Sequence, residues 1–262
     1  MKKGDVLHRA EQKEAETIFI YGKNAVLAAL QNKPETIERI FLEKGKAFDK
    51  DFEKQVLDIV NGKKINKEIF NTADLARDLK DANHQGILAK IKVDDLTINF
   101  EYFIENLQID SNTCILILGE LQDVQNVGSI IRSATAMGCA GILIPEHDQA
   151  QVNGTVVKIS AGTAFTIPLV RINNVNNVIE KLKEKRFWIY GLDMFGEKSI
   201  FQEQFTEATC FIVGNEGDGI RAKTKEACDM LLNIPISEKA ESLNASISTA
   251  IALYEWRRQK MQ

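Results

Sequence analysis

The sequence predicts an α/β protein whose larger C-terminal part is built on a parallel sheet, preceded by a smaller α/β domain. Residues 111–262 hold five short apolar runs, CILILG, GILIP, RFWIYGLD, CFIVGNE and LLNIPIS, each closed by Gly, Pro, Asn or Asp. Helical stretches lie between them: GSIIRSATAMG, VNNVIEKLKEKR and GIRAKTKEACDM. Strands this apolar, separated by crossover helices, belong to a parallel sheet buried on both faces. Residues 17–93 repeat the alternation on a smaller scale.

Taken in order, residues 1–16 read as a mobile tail, mixed in charge and without an apolar block. The strand IFIYG, the helix NAVLAALQN and the strand IERIFLE follow, then a helix around Asp51 to Asn61, another around Thr72 to Leu79, and the strand GILAKIKV. That is a unit near the smallest size that folds alone. Residues 94–110 are acidic, lack a stable period of two, and are expected to be a linker with at most one helical turn. Residues 111–262 form the second domain. Its last helix carries Leu243, Ile247, Ala250, Ile251 and Tyr254 on one face, a stripe that extends a core or meets a partner, with Trp256 beyond it. Arg257, Arg258 and Lys260 close this helix, where cations favour the negative end of the helix dipole.

With 262 residues, 44% hydrophobic and 27% charged, the chain has enough apolar material for two ordinary domains. Cys114, Cys139, Cys210 and Cys228 are widely spaced without a CxxC pair and read as reduced thiols, which points to the cytosol. No run approaches the length of a membrane span. His84 and His147 lack partners at ligand spacing, so no metal site is expected. The net charge of −4 argues against a dedicated nucleic-acid binder, but its distribution is uneven. Residues 17–93 carry fourteen basic against eleven acidic residues, residues 94–110 none against five, and residues 111–262 fifteen against seventeen. The basic surplus, which a solvated surface also explains, lies in the first third.

In a parallel sheet, ligands bind at the loops after the carboxyl ends of strands. Three such loops stand out: ELQDVQNVGSIIRS after ILILG, NEGDGI after CFIVG, and ISEKAESLNAS after LLNIP. Neither a GxGxxG fingerprint nor a Walker A loop is present. One turn needs one glycine; Gly214, Gly217 and Gly219 around Glu216 suggest a backbone that bends sharply and is approached closely. Read on these residues alone, Arg132 is a surface charge, Glu216 a turn carboxylate capping the following helix, and Ser242 and Asn244 are N-cap residues of the last helix.

Together the three loops resemble the signature motifs of the SpoU/TrmH group of SPOUT RNA ribose 2′-O-methyltransferases. DVQNVGSIIRSATAMG is similar to the first, IVGNEGDGI to the second, and IPISEKAESLNASISTAIALYEWRR to the third. IYGKNAVLAAL and HQGILA are similar to the group's N-terminal RNA substrate-binding domain, and KISAGTAFTIPLVR and FWIYGLD to its spacer segments, so the likeness runs from Ile18 to Gln259. In many relatives Pro-His or a similar pair precedes the asparagine of the first motif, where this chain has Val124-Gln125.

The resemblance implies a C-terminal domain tied into a deep trefoil knot, and a homodimer paired through the knots. It implies S-adenosylmethionine as cofactor, with Gly214, Ile234 and Leu243, and also Leu192 and Ser242, as its contacts. The expected reaction is methyl transfer to a ribose 2′-hydroxyl, of a guanosine in large-subunit rRNA; tRNA methylation and a catalytically silent RNA-binding or ribosome-assembly factor are the alternatives. Arg132, Asn126, Glu216 and Asn244 are the implied catalytic residues. A guanidinium is almost never neutral, so Arg132 is expected to bind the neighbouring phosphate and stabilise the developing alkoxide, while the others orient it and the ribose.

Overall fold

The computed structural model describes residues 17–92, 96–215 and 217–261; the expected N-terminal tail and Glu216 lie outside the described residues. The N-terminal lobe runs β1 (Thr17–Tyr21), α1 (Lys23–Asn32), β2 (Ile37–Glu43), α2 (Lys50–Gly62), β3 (Asn66–Phe70), α3 (Arg77–Lys80), β4 (Ile87–Lys92). Its strands lie in the order β1-β4-β2-β3, with β2 and β3 parallel and the other pairs antiparallel. Local chemistry explains the clearest helix: Asp49 caps α2 by accepting from the Phe52 amide at 2.8 Å, and Phe52, Val56 and Val60 then fall on one buried face. The helix expected around Thr72 to Leu79 is instead a single 3₁₀ turn, Thr72–Asp74, followed by the four-residue α3. Strand β3 is unannounced by pattern, since four of its five residues are exposed.

The expected linker is corrected by the structure. Residues 94–110 contain β5 (Thr97–Asn99), which pairs parallel with β8 (Leu169–Ile172), and α4 (Phe100–Asn106). Asn99 caps α4 through the Tyr102 amide, and Phe100 and Phe103 bury in the core. Two buried phenylalanines outweigh the acidity of the segment, whose Glu101 and Glu105 face solvent.

The rest of the C-terminal lobe comprises β6 (Cys114–Gly119), α5 (Val124–Met137), β7 (Gly141–Pro145), α6 (Gly154–Ile159), then β8, α7 (Val175–Glu184), β9 (Phe187–Leu192), β10 (Lys198–Ser199), β11 (Ala208–Gly214), α8 (Ala222–Ala227), β12 (Met230–Asn233) and α9 (Ala245–Lys260). Among the described residues the strands form one eight-stranded sheet, β10-β12-β9-β11-β6-β7-β8-β5, with every pairing parallel. Alternate residues of the central strands enter two different cores: Cys114, Leu116 and Leu118 of β6 on one face, Ile115 and Ile117 on the other. The first of these cores continues into the N-terminal lobe through Ile20, Val26 and Leu30. At the junction α6 lies against β1, where a Cβ on Gly154 would stand 2.4 Å from the Phe19 carbonyl oxygen.

Helix α9 is rolled differently from the simplest reading of its apolar stripe. Its buried face is Ala245, Thr249, Ala252, Leu253 and Trp256, whereas Ile247 and Tyr254 are 51% and 59% exposed. Small residues at 245, 249 and 252 let the helix lie close on α5, and the Thr249 hydroxyl is satisfied by donating to the Ala245 carbonyl at 2.7 Å. Ile247 and Tyr254 are therefore a solvent-facing edge of this chain, while Leu243, Ala250 and Ile251 are partly buried.

Among the described residues no helix is long and apolar enough to cross a membrane, and no group of three or more His, Cys, Asp or Glu could hold a metal ion. Cys114, Cys139 and Cys210 are buried free thiols, and burial pushes Cys114 and Cys210 well above the ordinary thiol range.

Candidate active site

The ends of β9, β11 and β12 and the entry to α9 surround a cleft of about 220 Å³. Its position follows from the parallel sheet, whose carboxyl strand ends all open on one edge. Leu192 arrives from β9, Gly214 from β11, Ile234 just past β12, and Ser242 and Leu243 from the loop before α9; the five residues expected to meet a cofactor line this single cleft.

The glycines divide their work. A Cβ on Gly214 would lie 2.1 Å from the Gly219 carbonyl carbon and 2.4 Å from the Ile220 nitrogen, so Gly214 is bare because its own loop folds back on it. Asn215 and Gly219 exchange backbone hydrogen bonds at 3.2 Å, and the Asn215 side chain accepts from the amides of Gly217 and Asp218 at 2.9 and 2.7 Å. Gly219 has φ +69° and faces open space, with only the Asp193 carboxylate oxygen at 4.0 Å from a would-be Cβ. The close approach expected at Gly214 is thus made by the returning loop, and Gly219 is the position that leaves room.

The described members of the expected catalytic set, Asn126, Arg132 and Asn244, fall into two places. Asp123 caps α5 through the Gln125 amide, which sets Asn126 in the first turn, buried, with its side-chain oxygen accepting from the Asn244 amide at 2.9 Å. Asn244 is itself the N-cap of α9, accepting from the Ser246 amide at 2.9 Å. Its neighbours Leu243 and Ala245 line the cleft, so the pair joins α5 to the cleft wall. Arg132 stands six residues further along α5, on the order of 9 Å up the axis, exposed and absent from the cleft lining.

Sequence reasoning missed the ion pair that lines the cleft, Asp193 with Lys225, and the one that ties the neighbouring loops outside it. Asp193, directly after β9, meets the Lys225 ammonium of α8 at 2.5 Å and accepts from the Phe195 amide at 2.8 Å. Burial pushes the Asp193 carboxyl up, but Lys225 and the Phe195 amide more than offset this and hold it below the usual carboxylate range. Arg221 bridges Glu120 at 2.5 Å and Asp148 at 3.0 Å, clasping the loops after β6, β7 and β11 together. The signal for Asp193 was present: it is the acidic residue at the carboxyl end of a predicted strand.

A doubly covered parallel sheet, with a cleft at its strand ends walled by a folded-back glycine loop and a capped helix, defines an α/β domain of the kind that takes ligands at its strand ends, here carrying a small α/β lobe. The chain belongs to the SpoU rRNA Methylase family, whose profile matches residues 113–254. Residues 19–95 match the RNA 2′-O ribose methyltransferase substrate-binding domain. The chain is 34% identical over 242 residues to the 23S rRNA (guanosine-2′-O-)-methyltransferase RlmB of Neisseria meningitidis, covering 92% of this chain and 95% of that one. It is 31% identical over 250 residues to RlmB of Escherichia coli, covering 92% and 98%. Among solved structures, the SpoU methyltransferase AviRb of Streptomyces viridochromogenes, in complex with the cofactor AdoMet, shares the fold with a TM-score of 0.78 at 22% identity, over 97% of this chain and 94% of that one.

Proposed function

We propose that the protein transfers the methyl group of S-adenosylmethionine to the ribose 2′-hydroxyl of a guanosine in 23S rRNA. The observation that carries this reading is the alignment of 92% of the chain, at 34% and 31% identity, with methyltransferases of that specificity. The cleft suits the cofactor: bare backbone at Gly219, apolar walls at Leu192, Ile234 and Leu243, and a fixed carboxylate at Asp193. When bound, S-adenosylmethionine supplies an electrophilic sulfonium methyl.

The chain's residues have to align the hydroxyl behind that carbon and accept its developing charge. Arg132 is assigned the cation that binds phosphate and stabilises the alkoxide. Asn126 and Asn244, tied to each other, orient the ribose, and Glu216 is assigned with them. The N-terminal lobe holds structured RNA by phosphate and shape contacts. A trefoil knot, and action in the cytoplasm, complete the reading.

The protein is also proposed to work as a homodimer. Ile247 and Tyr254 form a free apolar edge on α9, and Arg132 lies outside the cleft of its own chain. Pairing through α9 covers that edge, and a second copy is a means of bringing Arg132 to a cleft.

Titration calorimetry with S-adenosylmethionine, followed by transfer from tritiated cofactor to 23S rRNA or to tRNA, tests the reading. Binding with label in 23S rRNA is expected. Label in tRNA alone, or binding without transfer, overturns the assignment in favour of a tRNA enzyme or a silent assembly factor.

A further inference from the structure

We infer that Asp193, held by Lys225, is the acceptor for the ribose hydroxyls of the cofactor's adenosine. This rests on the proposed cofactor. Asp193 lines the cleft at the carboxyl end of β9, and its side chain is only 7% exposed. In parallel α/β sheets that bind dinucleotides, an acidic side chain takes ribose hydroxyls. Two bonds fix its geometry: Lys225 holds Oδ2 at 2.5 Å, and the Phe195 amide donates to Oδ1 at 2.8 Å. A carboxylate offers about four lone-pair positions, so acceptor capacity remains on both oxygens.

The space beside the carboxylate is built as well. Gly219, across the cleft, would place a Cβ in front of Oδ2 at 4.0 Å, with no other atom within reach, and its φ of +69° disfavours any side chain. The backbone is therefore left bare where a ligand edge would pass between Gly219 and Asp193.

The ion pair decides which part of the cofactor is recognised. S-adenosylmethionine carries two cations, the sulfonium and the α-ammonium, and a neutral ribose diol. A carboxylate meant for a cation gains from standing alone, whereas an ammonium at 2.5 Å repels a second positive group. The Asp193–Lys225 pair is neutral as a unit and suits hydroxyl donors, which bind a charged acceptor strongly without bringing charge of their own.

Calorimetry with two ligands that share the adenosine separates the possibilities: S-adenosylhomocysteine, and 5′-methylthioadenosine, which lacks the amino-acid tail. Asp193→Ala should weaken both equally, on the order of 10- to 100-fold, the scale of a hydrogen bond to a charged group. Asp193→Asn, which keeps shape and one acceptor oxygen, should lose less. A ligand-side arm needs no altered protein: removing the 2′- or the 3′-hydroxyl of 5′-methylthioadenosine should weaken binding to the parent, and at least one of these losses should shrink in Asp193→Ala. Loss for S-adenosylhomocysteine alone would assign the carboxylate to the amino-acid tail and overturn the inference. Unchanged affinity for both ligands overturns it too. A parent protein that binds neither S-adenosylmethionine nor S-adenosylhomocysteine overturns the proposed function first, and this inference with it.

Discussion

The side-chain amide of Asn244 donates to the side-chain oxygen of Asn126 at 2.9 Å, linking residues 118 positions apart in the chain. One bond thereby ties the first turn of α5 to the cap of α9, and Leu243 and Ala245, on either side of Asn244, form part of the cleft wall.

Asn126→Ala should therefore do more than remove a polar group. It strips a partner from Asn244, a change that costs about 0.5–1.5 kcal/mol because Asn244 is exposed and its amide can turn to water, and it loosens the wall carrying Leu243. Lower thermal stability and weaker S-adenosylmethionine binding should appear together. Asn126→Asp keeps the acceptor and should retain more of both. Calorimetry and a melting curve on the two variants check this, and unchanged binding in Asn126→Ala contradicts it.

The glycine loop makes a sharper separation. Gly214→Ala sets a Cβ against the Gly219 carbonyl at 2.1 Å, so the loop must open and cofactor binding should collapse. Gly217→Ala meets only the Asn215 side-chain oxygen, at 3.5 Å, and should bind nearly as the parent does. Equal cofactor affinity in the two variants would refute this account of the loop.

Much of the fold was legible because the central strands are nearly pure apolar runs, and α2 and α7 are capped and amphipathic. What escaped is physically distinct. Strand β3 is paired on one side only and exposed, and β5, β8 and β10 have two to four residues each, too few to show a period. The stripe on α9 left open whether it extends a core or meets a partner, because the core face is made instead by small residues and Trp256, which carry little periodic signal. At the cleft, sequence pointed to Leu192 but passed over Asp193 beside it, whose meaning depends on Lys225, 32 positions away in the sequence. The clash that makes Gly214 a glycine is a property of the closed loop and is invisible in a string of residues.

The exposed edge of α9 predicts association. The parent should sediment as a dimer at micromolar concentration, and a charge on the edge, as in the double variant Ile247→Glu with Tyr254→Glu, should give a monomer with little change in the fold. A parent that sediments only at 29.4 kDa contradicts the pairing.

Acid should loosen the end of α9. Arg258, with help from Gln259, holds the Glu255 carboxyl below the usual range, and Gln259 in turn accepts from the Phe205 amide. A carboxylate whose folded pKa is depressed stabilises the fold above its unfolded value, about 4.3 for Glu, and that contribution is lost as pH falls through the folded value. Glu255→Gln should melt below the parent at pH 7, with the gap closing as pH drops below about 4. A gap independent of pH contradicts the assignment.

The most direct measurement is nucleoside-resolved mass spectrometry of 23S rRNA after incubation with the purified protein and methyl-labelled S-adenosylmethionine, for the parent and two Arg132 variants. Label is expected in 2′-O-methylguanosine. Arg132→Ala should bind the cofactor normally, since Arg132 lies outside the cleft, yet lose roughly 10²–10³-fold or more in transfer. Arg132→Lys should recover only part of the rate, without a steep rise at alkaline pH. Label on a base or on another nucleoside, or none while the cofactor binds, would contradict the proposed reaction, and a steep alkaline rescue confined to Arg132→Lys would make residue 132 a base rather than a fixed cation.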